Sequence, residues 1–524
     1  MIRKNSRTKT NQLNPSVRAL LRSTLCLALC MAMSVAGYAQ LNNPERLGLT
    51  TVWTKAAGVG AGGEITGVHL HVSPKNVYSA TEIVDRLGRR QFFADNVVPV
   101  SRAGYDQTQR LTDLRKADLE TLGLDPRVEQ HSFPEATLYV RSSSGTVTAL
   151  DAETGQLKWS TQAGTAGYPS HSVAATDDYV VAISSTTLYL LDAQTGQVLE
   201  TSSTSSIPSG TPTMDGDLVY VPMWKGLIEV FSTDNFGRTK FTMGATSRIV
   251  GTVTIGPDVV SWASKRGDLY VGNRKGPGLK YRFQSPDNVA SAPAFYEGSL
   301  FATSLDGFVY AISDTAGQLK WRYAAGGPIS ESPLVVDGTV LAISDDGQLV
   351  SLDAETGDLN WSASNVRRFV SASKSRLYCA TRDARLVVID TATGARIGSQ
   401  QMGRNDVSFV NTNTDRLYLA SASGTVRCLR ESNQRWPVVR QVVLDPVEEP
   451  EMMKMKTAEP ESVSPSAGDE PPTDQEEDVF SGAEPDGLGD AEDESDPFEG
   501  FGDDSGDDDA GFGDDGDEDP FEDF

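Results

Sequence analysis

One phrase recurs through the middle of the chain and sets what it can fold into: an apolar strand, a short turn, a second apolar strand ending in Asp, a Thr-Gly turn, and a strand often carrying Trp. It stands clearest at Leu138 to Trp159, LYVRSSSGTVTALDAETGQLKW. It returns at Tyr179–Leu199, Leu300–Trp321, Val340–Trp361 and Leu377–Ile397. Three degenerate copies keep the spacing, at Val219–Phe241, Val259–Phe283 and Leu417–Trp436. The turn positions are Gly155, Gly196, Gly237, Gly278, Gly317, Gly357, Gly394 and Asn433, separated by 41, 41, 41, 39, 40, 37 and 39 residues.

Each unit reads as a small antiparallel sheet. Alternating apolar residues such as Leu138, Val140, Val147 and Leu150 have the period of strands buried on one face. The strand-ending acids Asp151, Asp192, Asp314, Asp353 and Asp390 each precede a turn whose glycine reaches positive φ at little cost. Asn433 fits that place because Asn tolerates the left-handed region. About 40 residues hold four short strands, the size of a propeller blade. A lone four-stranded sheet cannot cover both faces, whereas eight set radially cover one another. Trp159, Trp321 and Trp361 share one phase and are expected between blades. The fold predicted is all-β: an eight-bladed β-propeller of four-stranded antiparallel blades.

The phrase Ala149-Leu150-Asp151-Ala152-Glu153-Thr154-Gly155-Gln156-Leu157-Lys158-Trp159 resembles the PQQ-like repeat, and Ser351 to Trp361 is nearly the same. The resemblance spans about Leu138 to Trp436. It is similar to two groups: quinoprotein dehydrogenases, and BamB-like lipoproteins that assist outer-membrane protein assembly. The first group implies a vicinal Cys-Cys pair beside the quinone, yet no two cysteines are adjacent here, and no large insertion interrupts the spacing. The resemblance therefore supports the repeat and not the quinone, and no cofactor is assigned.

The flanks divide the chain further. Arg3, Lys4, Arg7, Lys9, Arg18 and Arg22 precede the apolar run Leu25 to Ala36, and Ala39 offers a cleavage point, so residues 1–39 read as a secretory signal peptide. An uncleaved anchor is the alternative. Lipid attachment at Cys30 is disfavoured because Leu29 is not small. Residues 40–135 do not repeat cleanly and read as a β/α segment packed on the propeller of 136–445; the segment could instead supply the strand that closes the last blade. Gly88 marks a turn, and Asp106 to Leu124 is expected to be helical. From Pro446 the chain carries 31 acidic residues against two Lys, which places the net charge of −26 in residues 446–524 and leaves the rest near neutral. Such a segment is predicted to be disordered. Its Phe498, Phe501, Phe512 and Phe521, in repeated Asp-Pro-Phe-Glu and Gly-Phe-Gly-Asp-Asp phrases, are candidate docking motifs, and its Asp runs could hold cations weakly.

Chemistry is sparse. Four histidines exist, His69, His71, His131 and His171. His69 and His71 share one face of a strand, but a metal site needs a third ligand, so no metal is assigned. No nucleophile elbow or phosphate loop of known spacing appears, so no catalytic residue is assigned. No basic face suits nucleic acid, and no segment of the mature chain is long enough to span a bilayer. Trp224, Trp262, Arg367, Arg368 and Arg404 fall outside the repeat phase and are candidates for a partner-binding face. The expected role is a non-catalytic cell-envelope scaffold with protein partners. A quinoprotein-like or other propeller enzyme, and a structural surface protein with a cation-binding tail, are the alternatives. Whether Cys379 and Cys428 pair is open.

Overall fold

The computed structural model describes residues 44–60, 63–94, 107–401 and 407–440. Residues 1–39, read above as a signal peptide, together with Cys30, Arg404 and the acidic tail with its four Phe motifs, lie outside these residues. Every described residue belongs to one compact unit, within residues 1–448.

The described strands form eight antiparallel sheets consistent with propeller blades. Strand β1 (Leu49–Ala56) is followed by β2 (Ile65–Val84), β3 (Arg90–Ala94), helix α1 (Gln107–Thr121), β4 (Arg127–Ser142), β5 (Thr146–Asp151) and β6 (Leu157–Gln162). The first sheet has the order β3-β2-β4-β5-β6. Sheets two to seven are four-stranded meanders in chain order, ending at Ser203, Gly244, Gln284, Ala324, Ala363 and Gln401. The eighth joins Leu417–Ala420 and Thr425–Glu431 to β1, which pairs antiparallel with Thr425–Glu431 from Leu49↔Glu431 to Ala56↔Thr425. The flank thus supplies the outer strand of the last sheet.

Inner strands buried on both faces, such as Leu218–Pro222 and Val259–Ser264, explain why the sheets stack. Eight apolar clusters each draw on two sheets. Tyr139, Val147 and Trp159 of the first sheet meet Val180, Ala182 and Leu191 of the second. The same arrangement repeats through Val181 with Val219, Tyr220 with Val260, Val271 with Leu300, Val309 with Val340, Leu349 with Phe369, and Tyr378 with Leu417. The eighth cluster joins the last sheet to the first: Trp53, Tyr418, Val426 and Cys428 pack on Val68, Leu70, Leu138 and Leu150.

Beyond the first sheet, β2 and β4 run on together as an arm, paired from Val77↔Pro134 to Val84↔Arg127 after a register shift at Val72/Val77, and β3 adds to its edge. Helix α1 packs on β2 and β3, burying Thr108, Thr112 and Leu119 at helical spacing. Trp436, just past the last sheet, packs with Tyr78, Ala80, Ala94 and Phe133 of the arm.

Several turn assignments change in the structure. Gly237 lies inside the strand Asn235–Gly244, not at a turn, because Ser232 turns back directly onto Asn235. Asn433 sits in a turn but is not among the residues of positive φ, so its tolerance of the left-handed region is not used. In the fifth sheet Ser313, not Asp314, begins the turn: its carbonyl accepts from Gly317 N and its amide donates to Gln318 O. Gly278 has φ of 134° but stands one place later than Gly155 does, since Asn273 N reaches Gly278 O as Asp151 N reaches Gln156 O.

Candidate functional site

The repeat residues build latches between sheets. Asp151 Oδ1 accepts from Thr154 N and Thr154 Oγ1, both at 2.7 Å, which draws the chain into a turn that closes at Gly155, φ +67°. Asp192, Asp353 and Asp390 hold their turns alike, and these hydrogen bonds keep their carboxyls below the usual carboxylate range. The glycine of each turn lies under an aromatic ring from the preceding sheet. A Cβ on Gly196 would stand 2.4 Å from Trp159, one on Gly357 2.5 Å from Trp321, and one on Gly394 2.6 Å from Trp361. Each indole also donates across the gap: Trp159 to Ala193 O, Trp321 to Ala354 O, Trp361 to Thr391 O. Tyr281 serves Gly317 in the same way, donating to Ser313 O at 2.6 Å.

Trp53 is the member of this series that the repeat alone does not reveal. It lies over Gly155 and donates to Ala152 O at 3.0 Å, latching the last sheet to the first. Nearby, Arg416 is fully buried and forks onto Glu153 of the first-sheet turn at 2.9–3.0 Å, with Asp415 at 3.3 Å. Burial alone would lower the guanidinium pKa, but Glu153 and Asp415 carry it above the ordinary arginine value.

Two surfaces are open to a partner. The first is a cleft of about 820 Å³ at the first strands of the fifth and sixth sheets, lined by Phe295, Tyr296, Leu334, Val336, Lys374 and Arg440. Arg440 fixes its wall, bonding Asp337 Oδ2 at 3.1 Å and Ala372 O at 2.8 Å. The second centres on Trp224, 53% exposed beside Ile207, 54% exposed, with Arg248 3.6 Å over the indole and Trp224 N bonded to Ile207 O. Of the other off-phase candidates, Trp262 is a core residue stacked on Tyr270, Arg367 is exposed, and Arg368 is half-buried.

The histidines do not converge. His69 is held neutral by burial and by His71, its pKa lowered to about 4. His71 Nε2 bonds Asp177 Oδ1 at 2.8 Å, and His171 donates to Pro208 O at 3.4 Å. His131 lies on the arm against the rings of Phe133 and Trp436. Cys379 and Cys428 are both free and buried, in different sheets and different apolar clusters. Among the described residues, no helix is long and apolar enough to cross a membrane.

The profile of the family described as "Outer membrane protein assembly factor BamB" matches residues 107–226, 143–280 and 248–440, which together exceed half of the chain. Among solved structures, BamB from Moraxella catarrhalis is similar at 18% identity, covering 56% of this chain and 93% of its own, with a TM-score of 0.48. The computationally designed Ika8 protein is similar at 18% identity over 56% and 92%, TM-score 0.47. A chain of the mitotic checkpoint complex is similar at 13% identity over 50% and 86%, TM-score 0.40. No curated protein gives a match. On the strength of the profile match, the chain belongs to the family of outer membrane protein assembly factor BamB, whose propellers are non-catalytic protein-binding scaffolds.

Proposed function

We propose that the eight sheets close into one eight-bladed β-propeller and that this propeller works in the cell envelope as a scaffold for outer-membrane protein assembly. The observation that supports closure is the apolar cluster and the Trp53 latch between the last sheet and the first. The family profile supports the role. On this reading residues 1–39 export the chain, β1 and the first half of β2 complete blades that residues 136–445 leave unfinished, and the acidic tail 446–524 adds weak multivalent docking through Phe498, Phe501, Phe512 and Phe521. The cleft beside Arg440 and the Trp224–Ile207 patch are the contact surfaces, since Trp and Arg side chains at an interface concentrate binding energy.

Photocrosslinking in whole cells tests this. A crosslinker placed at Tyr296 or at Ile207 should recover a component of the outer-membrane protein assembly machinery, and Trp224→Ala should weaken recovery at Ile207 about tenfold or more. If neither position recovers such a component, with or without residues 446–524, the scaffold role fails.

A further inference from the structure

The arm carries a set of side chains that the blade latches and the contact surfaces do not use. Glu82 on β2 stands directly opposite Glu129 on β4, and His131 lies two residues further along β4 on the same face. One ligand atom from each of the three lies within 4.8 Å of the others. Like charges placed opposite one another on a sheet repel. Arg90 answers one oxygen of Glu82, Nη1 to Oε1 at 2.6 Å, while among the described residues the other oxygen has only a long bond from Trp436 Nε1 at 3.4 Å. The Glu82 side chain is 4% exposed, so its carboxylate has little water to turn to. His131 Nε2 is likewise buried and has no hydrogen-bond partner among the described residues. Leaving a buried nitrogen without a partner is unfavourable, and this one belongs to a ring grouped with the two carboxylates.

We propose that Glu82, Glu129 and His131 bind a divalent transition-metal ion of the zinc class. One imidazole nitrogen with two carboxylate oxygens is a donor set that zinc accepts at about 2.0–2.2 Å, with a fourth place left for water. Glu129 is exposed and free to swing inward, so the donors can close without moving the strands. Arg90 then acts from behind, orienting Glu82 through the oxygen that the ion leaves free. Trp436 covers the site, its ring centroid 5.6 Å from that of His131.

The acidic tail will adsorb divalent ions diffusely, so the test compares variants of the full chain. Zinc is titrated against a fluorescent chelator, and cobalt(II) reports the ligand field by visible absorption. The wild type should take up one equivalent tightly before a weak, unsaturating phase, with cobalt bands of a nitrogen-containing low-coordinate site. Glu129→Gln and His131→Gln, both checked for folding by circular dichroism, should each lose tenfold or more in the tight phase and should lose those bands. The weak phase should persist in all three chains. Identical isotherms and cobalt spectra in the wild type and both variants, or no tight phase in the wild type, would overturn the proposal.

Discussion

Replacing Trp53 with Ala probes how the last sheet is held to the first. The indole is 6% exposed, lies over Gly155, and bonds Ala152 O. Truncating a buried Trp costs about 3–5 kcal/mol in lost transfer energy and cavity. The hydrogen bond supplies about 1 kcal/mol of that. The Ala152 carbonyl is not orphaned, because Tyr418 Oη donates to it at 3.3 Å, so no further penalty is added. The loss is local: it favours opening of β1 from Thr425–Glu431 rather than of the whole domain. Hydrogen exchange read by mass spectrometry should show residues 49–56 and 425–431 exchanging about two to three orders of magnitude faster, at roughly 1.4 kcal/mol per tenfold. Trp53→Phe keeps most of the buried area and should cost only about 1 kcal/mol. Trp159→Ala should move the effect to the gap between the first and second sheets. If Trp53→Ala leaves exchange at residues 49–56 within about fivefold of the wild type, β1 is not the seal.

Equilibrium stability probes two other groups. Arg416→Met leaves Glu153 and Asp415 buried without their cation and should cost about 3–5 kcal/mol, while the double variant with Glu153→Gln should recover a good part of it; denaturant midpoints check this. His69 has a folded pKa of about 4 against an ordinary 6.5, so between those values the unfolded chain binds the extra proton. Stability should therefore fall as pH drops from about 7 to 4 and then level off for this group, by at most about 3 kcal/mol, less where water reaches the half-buried ring. His69→Asn should flatten that part of the stability–pH curve.

The sheets are legible in the sequence because each repeats one local rule: alternation, an Asp-capped turn, a glycine that only a ring can cover. Where the rule breaks, spacing alone misleads. Gly237 keeps the interval but not the turn, and Asp314 stands beside the turn position that Ser313 in fact holds. Trp53 escapes a sequence reading because its partner strand lies at the other end of the chain, and no local pattern announces such a pairing. The cluster on the arm is hidden for a similar reason. Glu129 and His131 show strand spacing in sequence, but Glu82 joins them only through the register of two strands with a helix between, shifted at Val72/Val77. Long-range register is set by packing, which a single sequence displays only indirectly.

Because Leu49 pairs with Glu431, the first of the described strands must wait for the last of them before it finds its neighbour. The equilibrium cost of so distant a meeting is small, since loop entropy grows by only about 0.6 kcal/mol per doubling of length. The kinetic cost is larger, because such contacts come late and leave an unpaired edge in the meantime. A nascent chain therefore carries an unfinished seam, and its maturation should depend on whatever shelters that edge until synthesis ends.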